Sequence, residues 1–154
     1  MSRRFHRRRL LQRYGGGVMT TSANGLYGSP KGEISVILPL RNEAEHLQEA
    51  VTAILSQDFQ GKLEVILAIG PSHDGTEEIA QKLAKKDVRV VIVANPTGRT
   101  AAGLNLALKA SQYSNIVRVD GHAKIPHNYL TLVLEILTET RAVNLGGVMA
   151  AVGQ

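Results

Sequence analysis

The stretch ISVILPLRNEAEHLQEAVTAILSQDF, residues 34–59, decides the fold. Its opening, Ile34-Ser35-Val36-Ile37-Leu38, is a short β-rich run stopped by Pro39, as expected of a strand leaving a sheet. The period then changes. Leu47, Ala50, Val51, Ile54 and Leu55 recur on one face at helical spacing, predicting a helix over 44–57. Asn42 stands where a helix cap belongs and Glu45 follows three residues on, the spacing of a reciprocal capping pair.

The same change of period repeats downstream. Gly61 breaks the chain before a second strand, Leu63 to Ile69, which is apolar on both faces apart from Glu64 and so belongs inside a parallel sheet. After the loop Gly70-Pro71-Ser72-His73, Asp74 and Glu77 repeat the capping spacing, and Ile79, Ala80, Leu83 and Ala84 form the buried stripe of a second helix. A third strand is expected over Arg89 to Ala94, a turn at Asn95-Pro96-Thr97-Gly98, and a third helix from Thr100 to Ala110 burying Leu104, Ala107 and Leu108. A fourth strand, Asn115 to Val119, ends at Asp120; Pro126 suits the first turn of a fourth helix, which buries Leu130, Val133, Ile136 and Leu137. Ala142 to Val152, interrupted by Gly146-Gly147, is the expected fifth strand. Five strands alternating with four helices through short loops predict an α/β fold. The sheet should be doubly wound, Rossmann-like and mostly parallel, with right-handed crossovers and helices on both faces.

Upstream, residues 1–31 form a basic leader containing Gly15-Gly16-Gly17 and a Thr/Ser/Asn/Gly/Pro-rich run. No apolar period recurs in it, so it is expected to be disordered linker, with the folded domain over 32–154. The formal charge of the chain is +5, but this leader holds seven basic side chains and no acid. From Gly32 on, eleven Lys and Arg stand against thirteen Asp and Glu, a net −2. A near-neutral body is no footprint for a specific nucleic-acid partner. For the leader two readings stay open: a solvated segment, or a peripheral contact with anionic lipid or nucleic acid by charge alone.

At 154 residues the chain has room for one domain with a core. It has no cysteine, which excludes a disulfide scaffold, a thiolate zinc site and a cysteine nucleophile. No apolar run approaches the ~20 residues of a membrane span, and the basic N-terminus lacks the apolar core of a secretory signal. No G-x-x-x-x-G-K-[ST] loop occurs, no G-x-G-x-x-G follows the first strand, and neither a G-x-S-x-G elbow nor an H-E-x-x-H pattern is present.

Ligands of an open parallel sheet bind beyond the carboxyl ends of its strands. Those ends carry Pro39 to Glu43, Gly70 to Asp74, Asn95 to Arg99 and Asp120 to Lys124. Among these, Asp120-Gly121-His122 offers a carboxylate and an imidazole at one strand end, with glycine between them to keep the approach open. Oxygen and imidazole together suit Mn²⁺ better than an all-oxygen Mg²⁺ cage would. A cation there would hold a diphosphate and absorb charge on the leaving group. The alternative is that Asp120 caps a turn and His122 is a solvated loop residue.

Three segments together resemble family 2 glycosyltransferases of the GT-A fold, the nucleotide-diphospho-sugar transferases, and in particular the succinoglycan-biosynthesis branch. They are the opening stretch quoted above, EVILAIGPSHDGTEEIA at 64–80 and IVRVDGHAKIPHNYL at 116–130. The resemblance runs from Ile34 to about Val148. It implies that Pro39, Arg41 and Glu43 meet the base and ribose of a nucleoside-diphosphate sugar, with Gly70 and Ser72 beside the base. Asn42 is a cap or a lesser ligand contact, and Asp74 is chiefly structural. It further implies that Arg99 approaches the diphosphate, and that Asp120 and His122 ligate Mn²⁺ or Mg²⁺. A solvated arginine at position 99 is the other reading, although the helix dipole disfavours a cation there. Asn105 either bonds the loop after strand four or satisfies backbone polarity.

Two departures from the family pattern stand out. Ile69 and Gly70 stand where family members often carry acidic residues, one of which reads uracil, which leaves UDP as the default donor only. His122 replaces the second aspartate of a D-x-D motif, a change the succinoglycan-type branch tolerates. No Asp or Glu follows Glu139, so the general base of an inverting transfer is expected beyond Gln154 and the fold is expected to be truncated. The implied activity is sugar transfer to a polysaccharide or lipid-linked acceptor, in the cytoplasm or at the cytoplasmic face of the membrane. The alternative is a fragment that binds donor or a partner and transfers nothing.

Overall fold

The computed structural model describes residues 32–146. The elements run β1 (Glu33–Leu40), α1 (Ala44–Leu55), β2 (Lys62–Ile69), α2 (Thr76–Lys86), β3 (Val90–Ala94), α3 (Thr100–Ala110), β4 (Asn115–Arg118) and α4 (Tyr129–Thr140). Residues Lys31–Leu130 make one compact unit, and the described residues from Thr131 onward belong to a second.

The first unit is built on a four-stranded sheet in the order β3-β2-β1-β4, every pair parallel. β2 lies between two neighbours, as its unbroken apolar run predicts; only its first residue is exposed. Val36 stands opposite Val65 on one side and Val117 on the other, and Val65 stands opposite Val90. This register puts a continuous β-branched row across the sheet. Ile34, Val36, Leu38, Val65, Ile66 and Leu67 are wholly buried; each such side chain contributes about 1.5–3 kcal/mol relative to exposure.

Right-handed crossovers then fix the layers. The chain steps from β1 to β2 to β3 in one direction, so α1 and α2 share a face and pack together. The next step returns past β1 to β4, which sends α3 to the opposite face. There Ala107 packs with Ile37, Ile66 and Ala68, flanked by Val91, Val93, Leu104 and Ile116. Gly103 and Ala107 are the buried positions of α3. Leu108, expected in the core, is 45% exposed, because small residues let α3 approach the sheet along another line.

The boundaries differ from expectation at several places. α1 ends at Leu55 rather than 57. Gln57 is instead spent on the approach to α4, donating from Nε2 to the Pro126 carbonyl (2.8 Å) and accepting at Oε1 from Leu130 N–H (3.1 Å). Pro126 therefore does not open α4; its carbonyl receives Tyr129 N–H at 3.0 Å in a turn before the helix. In the second unit, Thr140 Oγ1 donates to the Ile136 carbonyl (2.6 Å) and Arg141 takes φ 54°, a left-handed stop to the helix. Residues 142–146 form no strand; the remainder of the expected fifth strand, 147–152, lies outside the described residues, as does the leader over 1–31.

Candidate functional site

Strand order reverses between β1 and β4: β2 and β3 lie to one side of β1, and β4 to the other. A crevice at such a reversal is where an open α/β sheet receives its ligand. Of the two richest sequence clusters, Pro39 to Glu43 closes β1, whose pairing with β2 runs through Pro39 and Leu40 rather than stopping at Pro39, and Asp120 to His122 follows β4. The topology therefore brings them face to face.

The β1 exit is stitched to the β2 exit by a chain of hydrogen bonds. Gly70 N–H donates to the Leu40 carbonyl (2.8 Å), and Asn42 N–H to Ser72 Oγ (3.1 Å). Asn42 Oδ1 in turn accepts from His73 N–H (3.0 Å). Asn42 is thus not the cap of α1; it adopts φ 54°, a left-handed conformation that asparagine tolerates. Glu43 is the residue before the helix, and its side chain makes no capping bond. The amino end of α1 is served from elsewhere, with Glu43 N–H donating to Thr76 Oγ1 (2.9 Å) and Ala44 N–H to Asp74 Oδ2 (2.9 Å).

Asp74 also accepts at Oδ1 from Thr76 N–H (3.1 Å) and Thr76 Oγ1 (2.6 Å). α2 starts at Thr76 behind its cap Gly75 at φ 90°, so Asp74, expected as the cap, lies one residue before it, and Glu77 makes no return bond to it. The hydroxyl of Thr76 and the Ala44 N–H hold the Asp74 carboxyl below the usual aspartate range. Wholly buried Thr76 was not singled out from sequence, since a threonine at a helix start looks locally like any other.

The β3 exit closes against the same platform. A Cβ built on Gly70 would stand 2.9 Å from Cα of Gly98. Gly98 itself, at φ 64°, has Pro71 Cδ and the Arg41 stem against it. Buried Asn95 fixes this turn, donating from Nδ2 to the Arg99 carbonyl (3.1 Å) and accepting at Oδ1 from Thr97 Oγ1 (3.0 Å). Arg41, Gly70 and the Gly98-Arg99 turn are thereby brought together. Arg99 precedes α3, is exposed, and leaves its guanidinium unpaired among the described residues. Asn105 is exposed and makes neither of the bonds considered for it. Ser72 Oγ is committed internally, donating to the Gly70 carbonyl (3.0 Å) while holding Asn42.

Beyond β4 the chain turns at once, with Ala123 N–H donating to the Asp120 carbonyl (2.9 Å). The turn rests on the β1 exit through Gly121. A Cβ there would stand 2.7 Å from Leu40 Cδ2 and 2.9 Å from Glu43 Cγ, so any side chain at 121 would push against both. Across the contact, His122 Nδ1 lies 3.1 Å from Glu43 Oε1. Asp120 is held at Oδ1 by Arg118, through Nε (3.1 Å) and Nη2 (3.0 Å). Arg118 carried no sequence signal, being a lone charge at the end of a short strand.

Residues 35–154 match the family described as Glycosyl transferase family 2. The chain belongs to that family. Among family 2 relatives it is 31% identical over 122 residues to "Succinoglycan biosynthesis protein ExoA" of Rhizobium meliloti, covering 77% of this chain and 36% of that protein. The solved structure of S. aureus TarS shares the fold, with TM-score 0.63 at 24% identity, over 71% of this chain and 20% of that one. "Mannosyltransferase PcManGT from Pyrobaculum calidifontis in complex with GDP-Man and Mn2+" superposes with TM-score 0.56 at 26% identity, over 79% of this chain and 34% of that one. The chain spans about a third of the length of these two longer-matched relatives, 36% and 34%. The fold is that of a GT-A-like sheet, α/β and parallel throughout its described strands.

A cation at Asp120 and His122 would have at most two protein ligands. Among the described residues no group of three or more His, Asp or Glu side chains could hold a metal ion by itself. Among the described residues, Asp120 Oδ2 and His122 Nε2 take part in no hydrogen bond. The Arg118–Asp120 pair is exposed on both sides, 52% and 35%, and such pairs are worth about 0.2–1 kcal/mol, too little to keep a divalent ion away. Two protein donors with phosphate oxygens and water completing the shell is a usual arrangement for such ions.

Proposed function

We propose that this chain forms the donor side of a glycosyltransferase, binding a nucleoside-diphosphate sugar in the crevice between the β1 and β4 exits. The observation that carries the reading is the contact of Glu43 with Gly121 and His122 at the strand-order reversal, beside Asp120. Pro39, Arg41, Glu43, Gly70 and Ser72 lie on the base and ribose side. Arg99, at the amino end of α3, approaches the diphosphate together with that helix's free N–H groups. Asp120 and His122 hold Mn²⁺ or Mg²⁺, which when bound neutralises the diphosphate and eases its departure.

The reaction is sugar transfer with inversion, the acceptor hydroxyl attacking the anomeric carbon from the face opposite the diphosphate. The acceptor is a polysaccharide or lipid-linked saccharide, and the site of action is the cytoplasm or its membrane face. Membership of the succinoglycan-biosynthesis branch is supported by the similarity to ExoA. No described helix is long and apolar enough to cross a membrane. UDP is the default donor nucleotide, although Ile69 and Gly70 offer no polar side chain to select a base.

Titration calorimetry with UDP and with GDP, each with and without Mn²⁺, tests the reading. Metal-dependent binding in the micromolar-to-millimolar range, lost in Asp120→Ala, is expected. Binding that ignores both the metal and Asp120, or no binding by folded protein, overturns it.

A further inference from the structure

We propose that Glu43 is the positioning residue of His122: it fixes the ring as the Nδ1–H tautomer and leaves the Nε2 lone pair for the cation. This rests on the donor-site reading above and assigns Glu43 a task beyond facing the donor.

A residue directly before a helix usually turns its side chain back onto the first turn. Glu43 does not, since the amino end of α1 is already served by Thr76 and Asp74. Its stem runs instead over Gly121, where a Cβ would lie 2.9 Å from Cγ and 3.1 Å from Cδ. Its head reaches His122 Nδ1 at 3.1 Å. The backbone on either side is pinned, with Glu43 N–H on Thr76 and the Glu43 carbonyl accepting from His46 and Leu47 N–H at 3.1 and 2.9 Å. The Glu43 side chain is only 19% exposed while that of His122 is 63% exposed, so the fixed partner is the carboxylate and the oriented one is the ring.

An ionised carboxylate only accepts hydrogen bonds, so the shared proton resides on Nδ1. The tautomer of a histidine is set by the bond its other nitrogen makes. Isolated imidazole side chains favour Nε2–H, which would block that nitrogen as a ligand; Glu43 reverses the preference before any cation arrives. Carboxylate-to-histidine bonds behind a ligating ring raise its basicity, and their loss weakens metal affinity about 10–100-fold. Glu43 Oε2 makes no hydrogen bond among the described residues and stays available to the donor.

The test is ¹⁵N NMR of the His122 ring in the metal-free full chain, paired with calorimetric Mn²⁺ affinity in the presence of UDP. The unchanged chain should show Nδ1–H. Glu43→Ala should revert to Nε2–H and bind Mn²⁺ at least about tenfold more weakly. Glu43→Gln, whose amide oxygen still accepts from Nδ1, should keep the tautomer and most of the affinity. Retention of Nδ1–H in Glu43→Ala overturns the proposal, as does unchanged affinity in Glu43→Ala when His122→Ala reduces it. If the unchanged chain shows no metal-dependent binding, the donor-site reading falls, and the tautomer alone then decides whether Glu43 sets His122. A lower melting temperature without a tautomer change would mark a merely structural contact and refute the role.

Discussion

The carboxylate of Asp74 accepts Ala44 N–H at 2.9 Å through Oδ2, joining the start of one helix to the loop that opens the next. Its other oxygen holds Thr76, so a single side chain organises the amino ends of both α1 and α2. Those ends frame the β1 side of the proposed donor crevice.

A pH dependence follows from this bond. Thr76 and Ala44 hold the Asp74 carboxyl below its ordinary value, so the group binds fewer protons folded than unfolded. Its stabilisation is complete above the ordinary aspartate range and disappears as pH falls through the lowered value. Thermal melts between pH 6 and pH 2 should show a shallower acid decline for Asp74→Asn than for the unchanged chain. Asp87, lowered by its bond to Arg89, retains its own share of the decline in both.

Gly121→Ala should disturb the site more than the fold. The new methyl would meet Leu40 and Glu43 at less than 3 Å, and forcing such contacts costs about 1–3 kcal/mol. Either the Leu40 and Glu43 side chains or the turn carrying Asp120 and His122 must then shift. Far-UV dichroism should stay native while metal-dependent UDP binding weakens at least severalfold; undiminished binding would show that the β1–β4 contact does not shape the site.

Arg118 holds Asp120 in the free protein. Removing a competing ion pair worth about 0.2–1 kcal/mol should raise Mn²⁺ affinity by up to about fivefold. Calorimetry of Arg118→Ala checks this, and weaker Mn²⁺ binding would instead assign Arg118 a direct role with the ligand.

Arg99→Ala should weaken nucleoside-diphosphate binding about tenfold, the scale of one charge-assisted hydrogen bond. Affinity for the bare nucleoside should not change. Because the guanidinium pairs with nothing among the described residues and sits at a helix start, the melting temperature should hold or rise slightly.

At the far end of the sheet, buried Glu64 accepts from Ser35 Oγ and from Gln112 N–H (2.6 Å). Glu64→Ala strands Gln112 N–H, at about 1–3 kcal/mol if left unpaired, while Ser35 Oγ keeps the Tyr113 carbonyl at 3.4 Å. Chemical denaturation should register the loss, while UDP affinity of the folded protein stays unchanged because the strand exits are untouched.

The alternation of short apolar runs with stripes of period 3.6 made all four described strands and all four helices legible, because burial inside a sheet or along a helix stripe writes itself into local sequence. Resemblance supplied the family, and the strand exits supplied the candidate residues. Partners distant in the chain were not legible. Asn42 has the composition of a cap, yet a left-handed backbone and the Ser72-His73 loop claim it. Pro126 fits a first turn, yet Gln57 holds it outside the helix. Leu108 fits the stripe of α3, yet the close approach of Gly103 and Ala107 turns it to solvent.

By itself, then, the sequence determined the parallel α/β frame and the four loops at which chemistry could gather. Tertiary structure decided that β4 lies beside β1, that Gly121 rests on Glu43, and that Glu43 takes His122. The physical reason is range. Hydrophobic period is a property of neighbours along the chain, whereas a hydrogen bond between residues 79 positions apart exists only once strand order has been chosen.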